Sequence, residues 1–243
     1  MFEDIDALKA RLDQYRPLSS AIVKNLHEDL ILRWTYHSNG IEGNTLTLLE
    51  TKVVLEGIAV GGKALKEHFE VINHRDAILY VEDIIKKEEP FSELQIRNIH
   101  QLILKNIDNE NTGRYRQQNV LISGATTNPP DYTLLNDKMA QFMDWYNTEA
   151  YNLHFIERAA KVHADFVGIH PFIDGNGRTS RLLMNLELMK AGYPPSVITV
   201  ENRLAYNEAL DHWMAYGNKE PFTNLIAGSV LDGFKPYQKV LGI

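Results

Sequence analysis

Apolar side chains recur along most of this chain at helical spacing. Leu18, Ile22, Leu26, Leu30 and Trp34 stand four residues apart and share one face of a helix predicted over 18–36. Thr47 followed by Glu50, and Ser92 followed by Gln95, read as capping boxes, in which two side chains satisfy orphan N–H groups of a first turn. The first opens a helix over about 47–59 that stops at Gly61-Gly62; the second opens one over about 93–108. Between them Phe69, Ile72, Ala77, Leu79 and Ile84 mark a long amphipathic helix over 65–87. Further helices are predicted over 133–148, 154–169, 177–191, 201–216 and 220–232. One stretch departs from the pattern. Residues 118–131 hold a short β-prone run, then Gly124, then Pro129-Pro130, and read as a small β-hairpin flap or as a plain surface loop. No linker, repeat or low-complexity tract divides the chain. The expectation is one all-α domain over 1–243 with a small hairpin flap, its first 60 residues forming N-terminal helices.

Composition narrows the function. Hydrophobic residues make up 44% and charged residues 23% of 243, values of an ordinary folded domain. Acids outnumber bases 32 to 25, for a net charge of −7, so a global basic footprint for nucleic acid is absent. No apolar run is long enough for a membrane span, and the first residues do not read as a secretory signal. There are no cysteines, which removes disulfides, thiolate metal sites and thiol nucleophiles and fits a reducing cytoplasm.

The chemistry concentrates in His170-Pro171-Phe172-Ile173-Asp174-Gly175-Asn176-Gly177-Arg178-Thr179-Ser180-Arg181. Two apolar helices bracket this loop, one carrying Phe155, Ile156, Ala159, Val162, Phe166 and Val167, the other Leu182, Leu183, Leu186 and Met189. Gly175, Asn176 and Gly177 at a helix start can turn several N–H groups toward an anion. Arg178 and Arg181 fall in or near the first turn, where positive charge opposes the helix macrodipole, so an anionic partner such as phosphate would explain them. Asp174 beside phosphates is a typical Mg²⁺ arrangement. His170 can act as a general base toward a hydroxyl. The plain alternative is a capped turn with a structural histidine. The other histidines, His27, His37, His68, His74, His100, His154, His163 and His212, show no close metal-ligand spacing, although His163 and His170 are two turns apart on one face.

The twelve residues match every position of the Fic motif, HPFx[D/E]GNGRxxR, and the chain resembles the Fic family on that ground. The likeness runs through Arg181-Leu182-Leu183-Met184-Asn185 to Ala191-Gly192-Tyr193-Pro194-Pro195 and back to Gly113-Arg114-Tyr115-Arg116, and spans roughly 38–228. The resemblance implies a helical core over 93–228 with a flap over 118–131, and transfer of AMP from Mg·ATP to a Ser, Thr or Tyr hydroxyl of a target protein. It implies His170 as base and Asp174 as Mg²⁺ ligand. Gly175, Asn176, Gly177 and Arg178 would cradle phosphates, and Arg181 would engage the γ-phosphate. Gly177, where phosphorylating relatives carry Lys, favours AMP transfer. Tyr206 and Asn207 fall near the family's adenine side, while Trp213-Met214 falls where its Asn is expected. The flap residues Val120, Leu121, Ile122, Ser123, Gly124, Ala125 and Thr126 would dock the target backbone as an added strand.

Ser38-Asn39-Gly40-Ile41-Glu42-Gly43-Asn44 reads, by composition, as a polar turn after a helix. It also matches the family's inhibitory pattern, [S/T]xxxE[G/N], which implies helix to about Glu42 and an inhibitory segment over 38–44. Glu42 would then occupy Arg181 in a bidentate pair, with Ser38 holding the segment. The expectation is a cytoplasmic protein adenylyltransferase using ATP and Mg²⁺, autoinhibited by Glu42 and acting on a protein partner, with a family-like homodimer and neither nucleic acid nor membrane as partner. Two alternatives stand beside it: removal of AMP, with Glu42 positioning a water, and a catalytically silent nucleotide-binding regulator.

Overall fold

The computed structural model describes residues 2–242, and among them there is helix but no strand. Ten α-helices follow in order: α1 Glu3–Asp13, α2 Ser20–Ile41, α3 Leu48–Leu55, α4 Leu65–Lys86, α5 Glu93–Leu104, α6 Leu135–Thr148, α7 Phe155–Ile169, α8 Asn176–Lys190, α9 Arg203–Tyr216 and α10 Glu220–Leu241. Short 3₁₀ turns lead into α6 and α9 and lie between α6 and α7. No described helix is long and apolar enough to cross a membrane.

The predicted helices are present, with instructive differences at their ends. At α3 the Thr47/Glu50 capping box closes in both directions, but the helix ends at Glu56, because Gly57 takes φ +86° before Gly61 is reached. At α5 Ser92 is the N-cap residue but makes no bond to the helix backbone; its hydroxyl turns to the Gln95 side chain instead. α10 continues nine residues past its predicted end at 232, burying Phe234. α1, too short and charged to register as a pattern, is held by two fully buried residues, Ile5 and Leu12.

The predicted hairpin at 118–131 is corrected to an extended loop. Pro129 and Pro130 have no N–H to give a ladder. Side chains brace the two arms in its place: Asn119 Nδ2 donates to Asp131 Oδ2 at 2.7 Å, and the Tyr132 N–H donates to Asn119 Oδ1 at 2.9 Å. The tip is tied to α9, where Asp211 accepts from the Thr126 N–H and hydroxyl at 2.7 and 2.6 Å. Leu121, Ser123, Gly124 and Thr126 are exposed, whereas Val120, Ile122 and Ala125 are partly covered.

α7 and α8, joined by the short 170–175 loop, form the central pair. Two apolar clusters flank them. One joins α1, α9 and α10 to Ile156, Ala160, Met184 and Leu188; the other joins α4, α5 and α6 to Val162, Phe166, Leu182 and Leu186. α8 is therefore covered on every side, with eleven consecutive buried residues from Arg178 to Leu188. Polar residues on such a helix must find partners inside the protein. Asn185 exchanges two hydrogen bonds with the backbone of Ser196, at 2.9 and 2.7 Å. Glu187 accepts from the Tyr146 hydroxyl at 2.7 Å and lies 2.9 Å from Arg158 Nε in an ion pair almost sealed from solvent.

Glu187→Ala leaves the Arg158 guanidinium buried without its counter-charge. The expected loss of unfolding free energy is about 3–5 kcal/mol, to be read from urea denaturation with the slope unchanged.

Candidate active site

The site is built where α7 ends and α8 begins. His170 terminates α7 in the left-handed region, φ +49° and ψ 58°, a conformation that costs a non-glycine residue about 1–2 kcal/mol. Gly175, at φ +78°, starts α8, and a Cβ there would press within 3.3 Å of the His100 ring. Asn176 clasps the loop, its Oδ1 accepting from the Phe172 N–H at 3.0 Å and its Nδ2 donating to the Phe172 carbonyl at 2.9 Å. At the helix start the first-turn N–H groups have no intrahelical acceptor. Asp174 caps one exposed edge: its Oδ1 accepts from the Gly175 N–H at 2.6 Å, and its side chain stays half exposed.

Three carboxylates answer the two arginines near the start of α8. Arg178 is 2% exposed and lies 3.5 Å from both Glu70 and Asp174. Its Nε and Nη1 close no hydrogen bond, so a buried guanidinium keeps spare donors beside the loop. Arg181 is equally buried. Its Nε donates to Ser38 Oγ at 3.0 Å, and its Nη2 donates to the Ser38 carbonyl at 2.8 Å and to Glu42 Oε1 at 2.7 Å. The Arg181–Glu42 contact is thus single-pronged, not the expected bidentate pair, because Ser38 takes the Nε edge of the fork. Burial pushes the Arg181 guanidinium pKa down, but Glu42 and Tyr206 together outweigh it and raise it.

Glu42 reaches this point because α2 does run through Ile41, as the family resemblance implies and the composition does not. The end is a Schellman closure. The Gly43 N–H donates to the Gly40 carbonyl at 3.0 Å and the Asn44 N–H to the Asn39 carbonyl at 3.1 Å, with Gly43 at φ +98°. The glycine after Glu42 is therefore what stops the helix with the carboxylate aimed at α8. Over Gly177 that carboxylate fills the space a side chain would need: a Cβ there would collide with Glu42 Oε1.

His170 is half-buried. Burial lowers its pKa, Arg116 pushes the same way, and the Val167 carbonyl, Glu42 and Asp174 oppose. The imidazole is therefore neutral near pH 7. Tyr206 is buried with its hydroxyl 3.0 Å from His163 Nε2 and 3.4 Å from Arg181 Nη1, while Asn207 faces solvent. The structure brings Tyr206 to Arg181 and leaves Asn207 apart from the loop.

His100 is a site residue that the spacing of histidines did not reveal. Its Nδ1 accepts from the Gly113 N–H at 2.9 Å, so Nε2 carries the proton and donates to the Asp174 carbonyl at 2.9 Å. Its ring stacks on Phe172 at 3.6 Å. The available signal was its place in the apolar stripe Ile96, Ile99, Ile103 of α5, where a histidine has to be buried with fixed partners. Glu70 is another: its Oε2 accepts from Asn44 Nδ2 at 2.8 Å, linking the end of the 38–44 segment to Arg178. No cluster of three or more His, Cys, Asp or Glu with metal-holding geometry occurs among the described residues.

The Fic/DOC family pattern matches residues 90–188. A protein adenylyltransferase Fic of Nematostella vectensis is 39% identical over 230 residues, which cover 93% of this chain and 53% of that protein. One of Drosophila willistoni is 37% identical over 229 residues, covering 92% of this chain and 44% of that protein. The chain spans about half the length of these curated relatives. Among solved structures, a Fic domain containing signaling protein from Bacteroides thetaiotaomicron superposes with a TM-score of 0.91 at 29% identity, covering 99% of this chain and 97% of that one. Fic-1 from C. elegans gives 0.85 at 31% identity, covering 98% and 72%.

Burial lowers the pKa of His37, His74, His100, His163 and His170, that of His100 to about 4 from 6.5. Below pH 6.5 the unfolded chain takes up protons that the folded chain refuses, so stability is lost as the pH falls toward 4. His100 alone should account for about 3 kcal/mol of that loss. Urea denaturation across this range should show the fall, and His100→Gln should flatten it.

Proposed function

We propose that this chain, which belongs to the Fic/DOC family, is a protein adenylyltransferase restrained by its own Glu42. The observation that carries this reading is the arrangement at the start of α8: a neutral, half-buried histidine, a half-exposed carboxylate and two buried arginines converge on a glycine-flanked helix start. Helix N–H groups and guanidinium donors suit a nucleoside triphosphate, and the curated relatives are protein adenylyltransferases.

The target hydroxyl attacks the α-phosphorus of ATP in line with the bond to pyrophosphate. His170 takes the hydroxyl proton, the new P–O bond forms on the target, and pyrophosphate leaves with the electrons of the broken bond. Gly175, Asn176, Gly177 and Arg178 hold phosphate oxygens, and Arg181, once free, takes the γ-phosphate. Asp174 fits Mg²⁺ as a single hard ligand whose carboxylate is open to solvent beside the phosphate loop. When bound, the ion offsets phosphate charge. The 118–131 loop presents exposed backbone to the target, and a cysteine-free chain suits the cytoplasm as its place of action. Tyr206 acts through Arg181 in this reading, and Asn207 keeps only a peripheral place near the adenine.

A second reading has one observation in its favour. Only Oε1 of Glu42 engages Arg181, and the side chain remains about one-third exposed, so it can hold a water for hydrolytic removal of AMP from a modified protein. Release of AMP from an adenylylated target by the wild-type chain, abolished in Glu42→Gln, would favour it.

With labelled ATP, Mg²⁺ and a lysate, Glu42→Gly should raise labelling roughly 10–150-fold, the worth of one charge-assisted hydrogen bond redirected to phosphate. Arg181→Ala should cancel the gain, and a double-mutant cycle on initial rates is the measure. A Glu42→Gly chain no faster than wild type would remove the inhibition model. In the Glu42→Gly background, His170→Ala should keep ATP binding and lose about 10²–10⁴ in transfer rate; unchanged labelling would remove His170 from its role.

A further inference from the structure

We infer that Arg116 is a positioning residue that locks the 117–131 loop and the backbone of His170 into one rigid unit, so that an incoming target and the base that serves it keep a fixed register. The inference rests on the proposed transfer activity. Arg116 is 3% exposed. Its Nε donates to the His170 carbonyl at 2.9 Å, its Nη1 to the Gln118 carbonyl at 2.9 Å, and its Nη2 to the Pro130 carbonyl at 2.6 Å. Its backbone N–H donates to the Pro171 carbonyl at 2.9 Å. One residue therefore ties the first arm of the loop, the second arm and the turn that follows α7.

Each of these contacts answers a local weakness. The two arms have no backbone ladder between them, since prolines stand on one side, and Arg116 bridges them through carbonyls that any sequence would offer. His170 sits in a left-handed conformation that its Cβ disfavours, and the Nε contact holds the carbonyl of that same residue. A planar guanidinium reaches three carbonyls in three directions at once; a lysine ammonium on its single stem does not. The charge also has a consequence that an apolar clamp would lack. Among the described residues no carboxylate closes an ion pair with Arg116, Asp131 acting on it only at longer range, and its positive charge faces the His170 imidazole and favours the neutral, proton-accepting form. Glu42 and the loop carboxylate Asp174 face the same ring with opposite sign.

The test compares Arg116→Lys and Arg116→Gln in the Glu42→Gly background, reading AMP transfer, ATP binding and the acid limb of the pH–rate profile. Transfer should fall roughly 100-fold in both, the scale of a slightly misplaced reacting group. ATP affinity should hold within about threefold, because the phosphates lie on α8 and not on the loop. Arg116→Lys should keep the acid limb where it is. Arg116→Gln should move it to higher pH, because removing a positive charge stabilises the imidazolium. Hydrogen exchange should show the amides of the loop opening roughly tenfold more often in both variants. Full transfer by Arg116→Lys, or loss of ATP binding in step with transfer, would overturn the inference, the latter by making Arg116 a general folding residue. Should Glu42→Gly with Arg116 intact transfer nothing, the transfer reading fails by itself; exchange in the loop then decides for Arg116, and unchanged protection would overturn its role.

Discussion

The burial of polar side chains on α8 governs the rest of this molecule. A helix covered on every side could be filled with leucine, but from Arg178 to Glu187 this one also buries two arginines, a threonine, a serine, an asparagine and a glutamate. Each of these costs several kcal/mol unless partnered, and most of them recruit a neighbour, the Thr179 hydroxyl being left without one. Asn185 fixes the turn at Ser196, Glu187 draws in Arg158 and Tyr146, and Arg181 draws in the end of α2. The surrounding helices are oriented as much by these demands as by the two apolar clusters on either side.

The same constraint explains why acids surround the start of α8. Two buried guanidinium groups at the positive end of a helix dipole require negative charge. The chain itself supplies such charge, as Glu42, Glu70 and Asp174. None of the three closes a full bidentate pair, and Arg178 retains donors without acceptors. The arrangement is satisfied enough to fold and incomplete enough to suit the proposed exchange of these acids for phosphate. Asn44, joined to Glu70, makes the end of the 38–44 segment part of the same network. The segment thus touches Arg181 directly through Glu42 and reaches Arg178 through Asn44 and Glu70.

The loop at 118–131 illustrates the opposite regime. Nothing there is deeply buried except its anchor, Arg116, and its shape depends on carbonyl contacts, two proline rings and Asp211 on α9. An extended segment held at its base and tip, with Leu121 almost fully exposed, has no ladder of its own to break, as the proposed docking of a target strand requires.

The sequence by itself determined the local parts. Helical spacing located nine of the ten helices because an amphipathic face repeats every three to four residues. The contiguous loop 170–181 was legible as a helix start loaded with polar groups because those residues interact within one or two turns. The end of α2 was legible only through family likeness: composition suggested a turn, yet Gly40 stays helical where Val200 packs against it, and Gly43 alone breaks the helix. What only the tertiary structure decided are pairings between distant residues: Glu42 with Arg181 across 139 positions, His100 with Asp174 across 74, Arg116 with His170 across 54. No spacing rule reaches so far. Ser38 competing for the Arg181 fork turned an expected bidentate pair into a single-pronged one, and a β-prone run without donors opposite it stayed a loop. These outcomes depend on which donors and acceptors folding buries together, and burial is a property of the assembled helices rather than of any one segment.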